Sequence, residues 1–134
     1  MRKGEDSDMR AAFYTESREE YQMLSGKLLE EMPDAELHYM EQDGYFHFWD
    51  SDMIVVALDG ARGMETVLEC SSRYPQAMIV WVTDDKYFAR MAIRRHIFDF
   101  IPRPLSEERF SETVRSAAVQ WGWKSGRRPL LEQE

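Results

Sequence analysis

Two uninterrupted apolar runs limit what this chain can fold into. Met53–Ala57 within DMIVVALDG, and Ala77–Val82 within AMIVWVT, are apolar at every position. A strand wetted on one face alternates apolar with polar residues, whereas a strand covered on both faces reads as a continuous run. Both runs therefore predict central strands of a parallel sheet with helices packed on each side.

The flanking segments fit that plan. Ala11–Tyr14 reads as a first strand, and Ser17 with Glu20 forms an S-x-x-E capping box that opens a helix. Tyr21, Leu24, Leu28 and Met32 give that helix one apolar stripe, and Pro33-Asp34 ends it. Ala35–Met40 alternates in character and predicts an edge-proximal strand. Asp43-Gly44 signals a turn, with Tyr45, Phe46, Phe48 and Trp49 expected on a short helix laid against the sheet. Gly63 to Tyr74 is helical, with Met64, Val67 and Leu68 inward. After Thr83, the segment DDKYFARMAIRRHI predicts one helix capped by Thr83 or Asp84, with Phe88, Met91 and Ala92 inward. FDFIPRP supplies a fifth strand, and Ser106 caps a last helix whose stripe is Phe110, Val114, Ala117 and Trp121.

The order is βα repeated five times with short connections. This is an α/β, doubly wound, five-stranded parallel sheet of the flavodoxin-like type, strand order 2-1-3-4-5, with helices on both faces. Residues 9–123 are expected to form this domain. Residues 1–8 read as a frayed N-terminus and 124–134 as a linker or tail. The strand ends that form the crevice of such a sheet are then Thr15-Glu16, Ala57-Leu58-Asp59, Thr83 and Arg103.

Composition narrows the function. Seventeen Lys and Arg against 25 Asp and Glu give a net charge of −8, which argues against direct gripping of nucleic-acid phosphates by this region. Cys70 is the one cysteine and reads as a small core or boundary residue, so nothing points to secretion. No run approaches the roughly 20 apolar residues of a membrane span, and a cytoplasmic location is expected. There is no glycine-rich nucleotide fingerprint, and His38, His47 and His96 are dispersed, so an enzyme is not expected.

From Asp52 onward the sequence resembles a bacterial response-regulator receiver domain. The resemblance rests on strand four ending in Thr83 and on AIRRHIFDFIPRP, where Phe100 matches the switch aromatic and Arg103-Pro104 falls on the family's Lys-Pro pair. VTDDKYFARMAI and IFDFIPRPLSEERF look most like receivers that precede LytTR-type DNA-binding domains. The resemblance implies a two-component signalling role in transcription regulation. It also implies two carboxylates after strand one that hold magnesium in near-octahedral geometry at about 2.0–2.1 Å. An Asp after strand three would be the phosphoacceptor, and a hydroxyl and a Lys would bind the phosphoryl oxygens.

The residues depart from that set. The acid pair falls on Thr15 and Glu16, the acceptor position on Ala57, and the Lys on Arg103; Thr83 alone is unchanged. A methyl group neither attacks phosphorus nor binds metal, so no cofactor is expected and magnesium binding is disfavoured. Asp59 is the alternative acceptor. On an extended strand it would share a face with Ala57 at an offset of roughly 6–7 Å, and the preferred reading is a turn pair with Gly60. The sequence thus describes a degenerate pseudo-receiver acting through protein contacts. The alternatives are an active receiver using Asp59, and a module that binds a small anion through Thr83 and Arg103. A homodimer is expected, by resemblance, through Arg90, Arg94 and Arg95 on the helix after strand four, Asp99 on strand five, and Arg109 beside Glu108, Glu112 and Arg115 on the last helix. The basic tail KSGRR would lead to an output domain outside this chain that carries any DNA binding.

Overall fold

A computed structural model describes residues 8–40 and 50–124. The expected aromatic helix of residues 45–49, the frayed residues 1–7, the tail beyond 124 and the side chain of Trp123 lie outside the described residues.

The elements follow the order β1 Arg10–Thr15, α1 Arg18–Glu31, β2 Glu36–Met40, β3 Met53–Ala57, α2 Gly60–Arg73 and β4 Met78–Thr83. A 3₁₀ turn at Lys86–Phe88, α3 Ala89–Arg94, β5 Asp99–Pro102 and α4 Glu107–Lys124 complete it. The five strands pair in parallel in the order β2-β1-β3-β4-β5, as the sequence predicts.

The central strands are buried on both faces because each face has its own apolar cover. Phe13, Met53, Val55, Val80, Val82 and Ile101 point to the side where Leu24 and Leu28 of α1 meet Phe110, Val114, Ala117 and Trp121 of α4. Ala12, Tyr14, Ile54, Val56, Ile79 and Trp81 point to the other side, against Val67 and Cys70 of α2 and Ala92 of α3. Burial pushes the Cys70 thiol up to about 12, which keeps it protonated and unreactive at neutral pH. At the opposite end of the strands from the crevice, Asp52 Oδ2 accepts the Arg10 amide at 2.9 Å and pins β1 beside β3.

Two helices differ from expectation. α2 begins at Gly60, not Gly63, and its buried column is Gly63, Val67 and Cys70, while Leu68 is only half-buried. The connection from β3 is so short that the first turn of α2 presses on the carbonyl of Leu58. A Cβ at Gly63 would stand 1.9 Å from that oxygen. The helix after β4 is also shorter than predicted. The Thr83 hydroxyl accepts the Asp85 amide at 3.3 Å, and Asp85 rather than Thr83 or Asp84 caps the turn by accepting from the Tyr87 amide at 3.0 Å. Regular α geometry starts only at Ala89 and ends with His96 in the left-handed region at φ 57.

Gly63→Ala is therefore expected to destabilise the fold by about 2–3 kcal/mol or more through overpacking against backbone. Gly26→Ala, on the exposed side of α1 with nothing within 4 Å of a new Cβ, should stabilise by about 0.5–1 kcal/mol. Urea midpoints of the two variants, moving in opposite directions, check the pair.

Candidate functional site

The crevice opens at the C-terminal ends of β1 and β3, where the strand order reverses. It is an open polar cleft of about 370 Å³ lined by Thr15, Glu16, Ser17, Glu20, Ala57, Leu58, Asp59, Arg62 and Arg103. Of the strand-end residues expected there, Thr83 is the exception. It is fully buried on the α2–α3 side, lies outside the lining, and its hydroxyl serves the local turn with Asp85.

Arg103 organises the cleft. Its Nη1 donates to Glu20 Oε2 at 2.5 Å and its Nη2 to Glu20 Oε1 at 3.1 Å, a two-pronged pair. Its Nε donates to Asp59 Oδ1 at 3.0 Å, and Nη2 also reaches the Ala57 carbonyl at 3.4 Å. Hydrogen bonds to Glu20, then to Asp59, hold the guanidinium above its ordinary pKa despite partial burial. The Thr15 hydroxyl donates to Glu20 Oε1 at 3.1 Å and accepts the Ser17 amide at 3.2 Å. Across the mouth, Arg62 pairs with Glu16.

Glu20 and Arg62 are the site residues that the sequence did not reveal. The sequence presents Glu20 as half of a capping box. The first half exists, since Ser17 Oγ accepts the Glu20 amide at 3.0 Å. The Glu20 carboxylate, however, is turned toward Arg103 and Thr15. Its spacing of four from Glu16 was the available signal. Asp59 is also more than a turn residue. It stands at the N-cap of α2 without a side-chain capping bond, and its Oδ1 accepts from Arg103 and from the Asp84 amide at 3.0 Å. Its carboxylate lines the cleft.

Glu16, Glu20 and Asp59, the carboxylates of the cleft, each face a guanidinium. A small anion finds Arg103 already occupied by two carboxylates.

The residues expected to form a dimer face divide into two groups. Asp99 is held within its own chain: Arg109 donates to both of its carboxylate oxygens at 2.9 Å and Thr113 Oγ1 to Oδ2 at 2.5 Å. The expectation that Asp99 would receive an arginine from a second copy meets a carboxylate whose oxygens are already bonded. Arg90, Arg94 and Arg95 are exposed. Phe100, at the switch position, is half-buried and packs edge-on against Trp81 with ring centroids 5.6 Å apart.

No family model matches the sequence, and no curated protein matches it either. Solved structures do share the fold. The response regulatory domain of protein mrkE from Klebsiella pneumoniae superposes with a TM-score of 0.67 at 19% identity, over 86% of this chain and 99% of that one. A CheY-like response regulator from Mesorhizobium loti gives 0.65 at 13% identity, over 83% and 99%. The pilus assembly protein CpaE from Caulobacter crescentus gives 0.63 at 18% identity, over 81% and 92%. The chain has the fold of a response-regulator receiver domain.

Arg103→Met would leave Glu20, whose side chain is only 15% exposed, without its cation. The expected loss is about 1–3 kcal/mol, below the cost for a fully buried pair because the cleft is open to water. Adding Glu20→Gln should cost less in that background than in the wild type, a coupling that a double-mutant cycle by urea unfolding measures. A pH effect is expected at Asp99. Burial alone would raise its pKa, but hydrogen bonds from Arg109 and Thr113 outweigh burial and hold it below the ordinary value. The resulting stabilisation is present above the unfolded pKa of about 3.9 and is lost as pH falls through the lower folded value. The stability gap between wild type and Asp99→Asn should therefore be full at pH 7 and shrink in unfolding curves taken below about pH 4.

Proposed function

We propose that this chain is a receiver-like signalling module that does not use aspartyl phosphate or magnesium and acts through contacts with other proteins. One observation carries the reading. At the end of β3, where residue 57 is alanine, the guanidinium of Arg103 lies against the Ala57 carbonyl and is bound by Glu20 and Asp59. A fixed cation thus stands among the carboxylates that would otherwise attract a divalent ion. Guanidinium forks onto carboxylates and keeps its charge, so the arrangement is stable across the physiological pH range.

The proposal includes a cytoplasmic setting and protein partners, a second copy of the chain among them. Any DNA binding would lie in an output domain beyond these residues. Among the described residues no helix is long and apolar enough to cross a membrane. The fold is shared by proteins named as response regulators and by one named for pilus assembly, and fold alone does not choose among such roles.

A second reading, Asp59 as phosphoacceptor, is favoured by the position of its carboxylate in the cleft. Against it, Oδ1 is already engaged by Arg103 and by the Asp84 amide. Intact-mass measurement after incubation with acetyl phosphate and magnesium separates the readings. No mass gain is expected. Addition of one phosphoryl group, lost in Asp59→Ala, would replace the first reading with the second.

A further inference from the structure

A second cavity lies at the other end of the sheet from the cleft, where β4 begins. It has a volume of about 330 Å³ and is walled by the α2–β4 connection, the segment between α3 and β5, and the last turns of α4. Ala77, Met78 and Phe98 form its apolar part, each buried or half-buried. Gln76, His96 and Gln120 form its polar part and reach it from three separate segments. Among the described residues no Asp, Glu, Lys or Arg lines it.

His96 stands here in an uncommon backbone state. It follows α3 in the left-handed region at φ 57, where glycine fits freely and a Cβ crowds the next carbonyl. The end of α3 is closed by the His96 amide, which donates to the Ile93 carbonyl at 3.1 Å, a bond that any residue but proline could make. The imidazole is exposed and makes no hydrogen bond or ion pair with a described residue, and the same holds for the Gln120 carboxamide. The strained position therefore carries a side chain that does nothing for the fold. A backbone outlier of this kind, set in a cavity wall, points to a site.

From this arrangement we infer that the cavity binds a small neutral heterocycle of the purine type, with its edge on Gln76, His96 and Gln120 and its ring against Phe98. A carboxamide and a neutral imidazole each offer a donor and an acceptor. Three of them match a planar group that sets donors beside acceptors along one edge. A glutamine carboxamide fits the amine and ring nitrogen of adenine with two parallel hydrogen bonds. The volume lies within the range of small-ligand clefts and is larger than a lone amide would fill. An oxyanion fits poorly, because no guanidinium or ammonium lines the cavity. A metal ion fits poorly as well, since His96 alone among the lining side chains is a common ligand. The inference is independent of the reading given to the cleft.

The test uses the isotope-labelled full chain and adenosine as the probe. In NMR titrations, adenosine at millimolar concentration should shift the side-chain amides of Gln76 and Gln120 and the His96 imidazole together, leaving Arg62 and Arg103 unmoved. Purine riboside, which lacks the exocyclic amine, should bind roughly fivefold more weakly, and ribose should not bind. Gln120→Ala changes an exposed helix position, so it should weaken adenosine binding by roughly fivefold with the urea midpoint unchanged. His96→Gly should weaken binding by a similar factor without lowering the midpoint, because glycine relieves the left-handed conformation. Absence of the shifts, shifts of equal size with ribose, equal binding of purine riboside, or shifts confined to the cleft would overturn the inference. So would full adenosine binding by Gln120→Ala. A His96→Gly variant that binds adenosine fully and unfolds at lower urea would give the histidine a purely structural role, with the same result.

Discussion

The bridge from Arg103 to Glu20 and Asp59 sets much of the local structure at the crevice. It joins the exit of β5 to the first turn of α1 and to the start of α2, three segments that share no covalent connection nearby. Its consequences extend outward. With its carboxylate turned to Arg103, Glu20 cannot close the capping box it began with Ser17, and Thr15 takes over the Ser17 amide. With its carboxylate turned the same way, Asp59 gives α2 no side-chain cap and instead accepts the Asp84 amide. That amide and the Asp85 amide, held by Thr83, are drawn toward the sheet, so the helix after β4 starts late and runs short. An ion pair in a half-open cleft contributes little net stability by itself. Here it decides where neighbouring backbone groups find their hydrogen bonds.

The strands, their order and the buried stripe of α4 were legible because they depend on periodicity. Met53–Ala57 and Ala77–Val82 fit no surface position, and Phe110, Val114, Ala117 and Trp121 repeat at helical spacing. The start of α2 was not legible, because Gly63 looks like a helix boundary and is in fact a glycine required by close approach to Leu58. The cleft was half legible. Strand ends can be counted along a sequence, which located Thr15, Glu16, Ala57, Asp59 and Arg103. Glu20 and Arg62 sit on helices, where a charged residue normally means a solvated face. Only the third dimension shows that these two helices aim them at the same opening. Thr83 failed for the opposite reason: the hydroxyl is at the expected strand end, but a turn within its own loop uses it.

The surface follows the same economy of charge. Asp99 and Arg109 satisfy each other across the groove between β5 and α4, and Thr113 supplies a further donor. Lys27 joins Glu30 to Glu107, and Arg115 reaches Glu31, so α1 and α4 are stitched at their polar edges. Among the described residues, Lys86, Arg90, Arg94 and Arg95 on the turn and helix after β4 make no such pair.

Charge also bears on why the cleft should behave differently from one built for a metal. Three carboxylates, Glu16, Glu20 and Asp59, and two guanidinium groups, Arg62 and Arg103, share its lining. A magnesium site gathers carboxylates whose mutual repulsion the ion relieves, and the ion's affinity comes largely from that relief. Here the relief is supplied covalently, by arginines that cannot diffuse away and do not deprotonate at accessible pH. An entering divalent ion would have to displace a two-pronged guanidinium from Glu20 and then tolerate that charge a few ångströms away. Ala57 offers no nucleophile at the end of β3, and Arg103 fills the cleft beside it with fixed positive charge. Two independent physical arguments thus support the proposed reading.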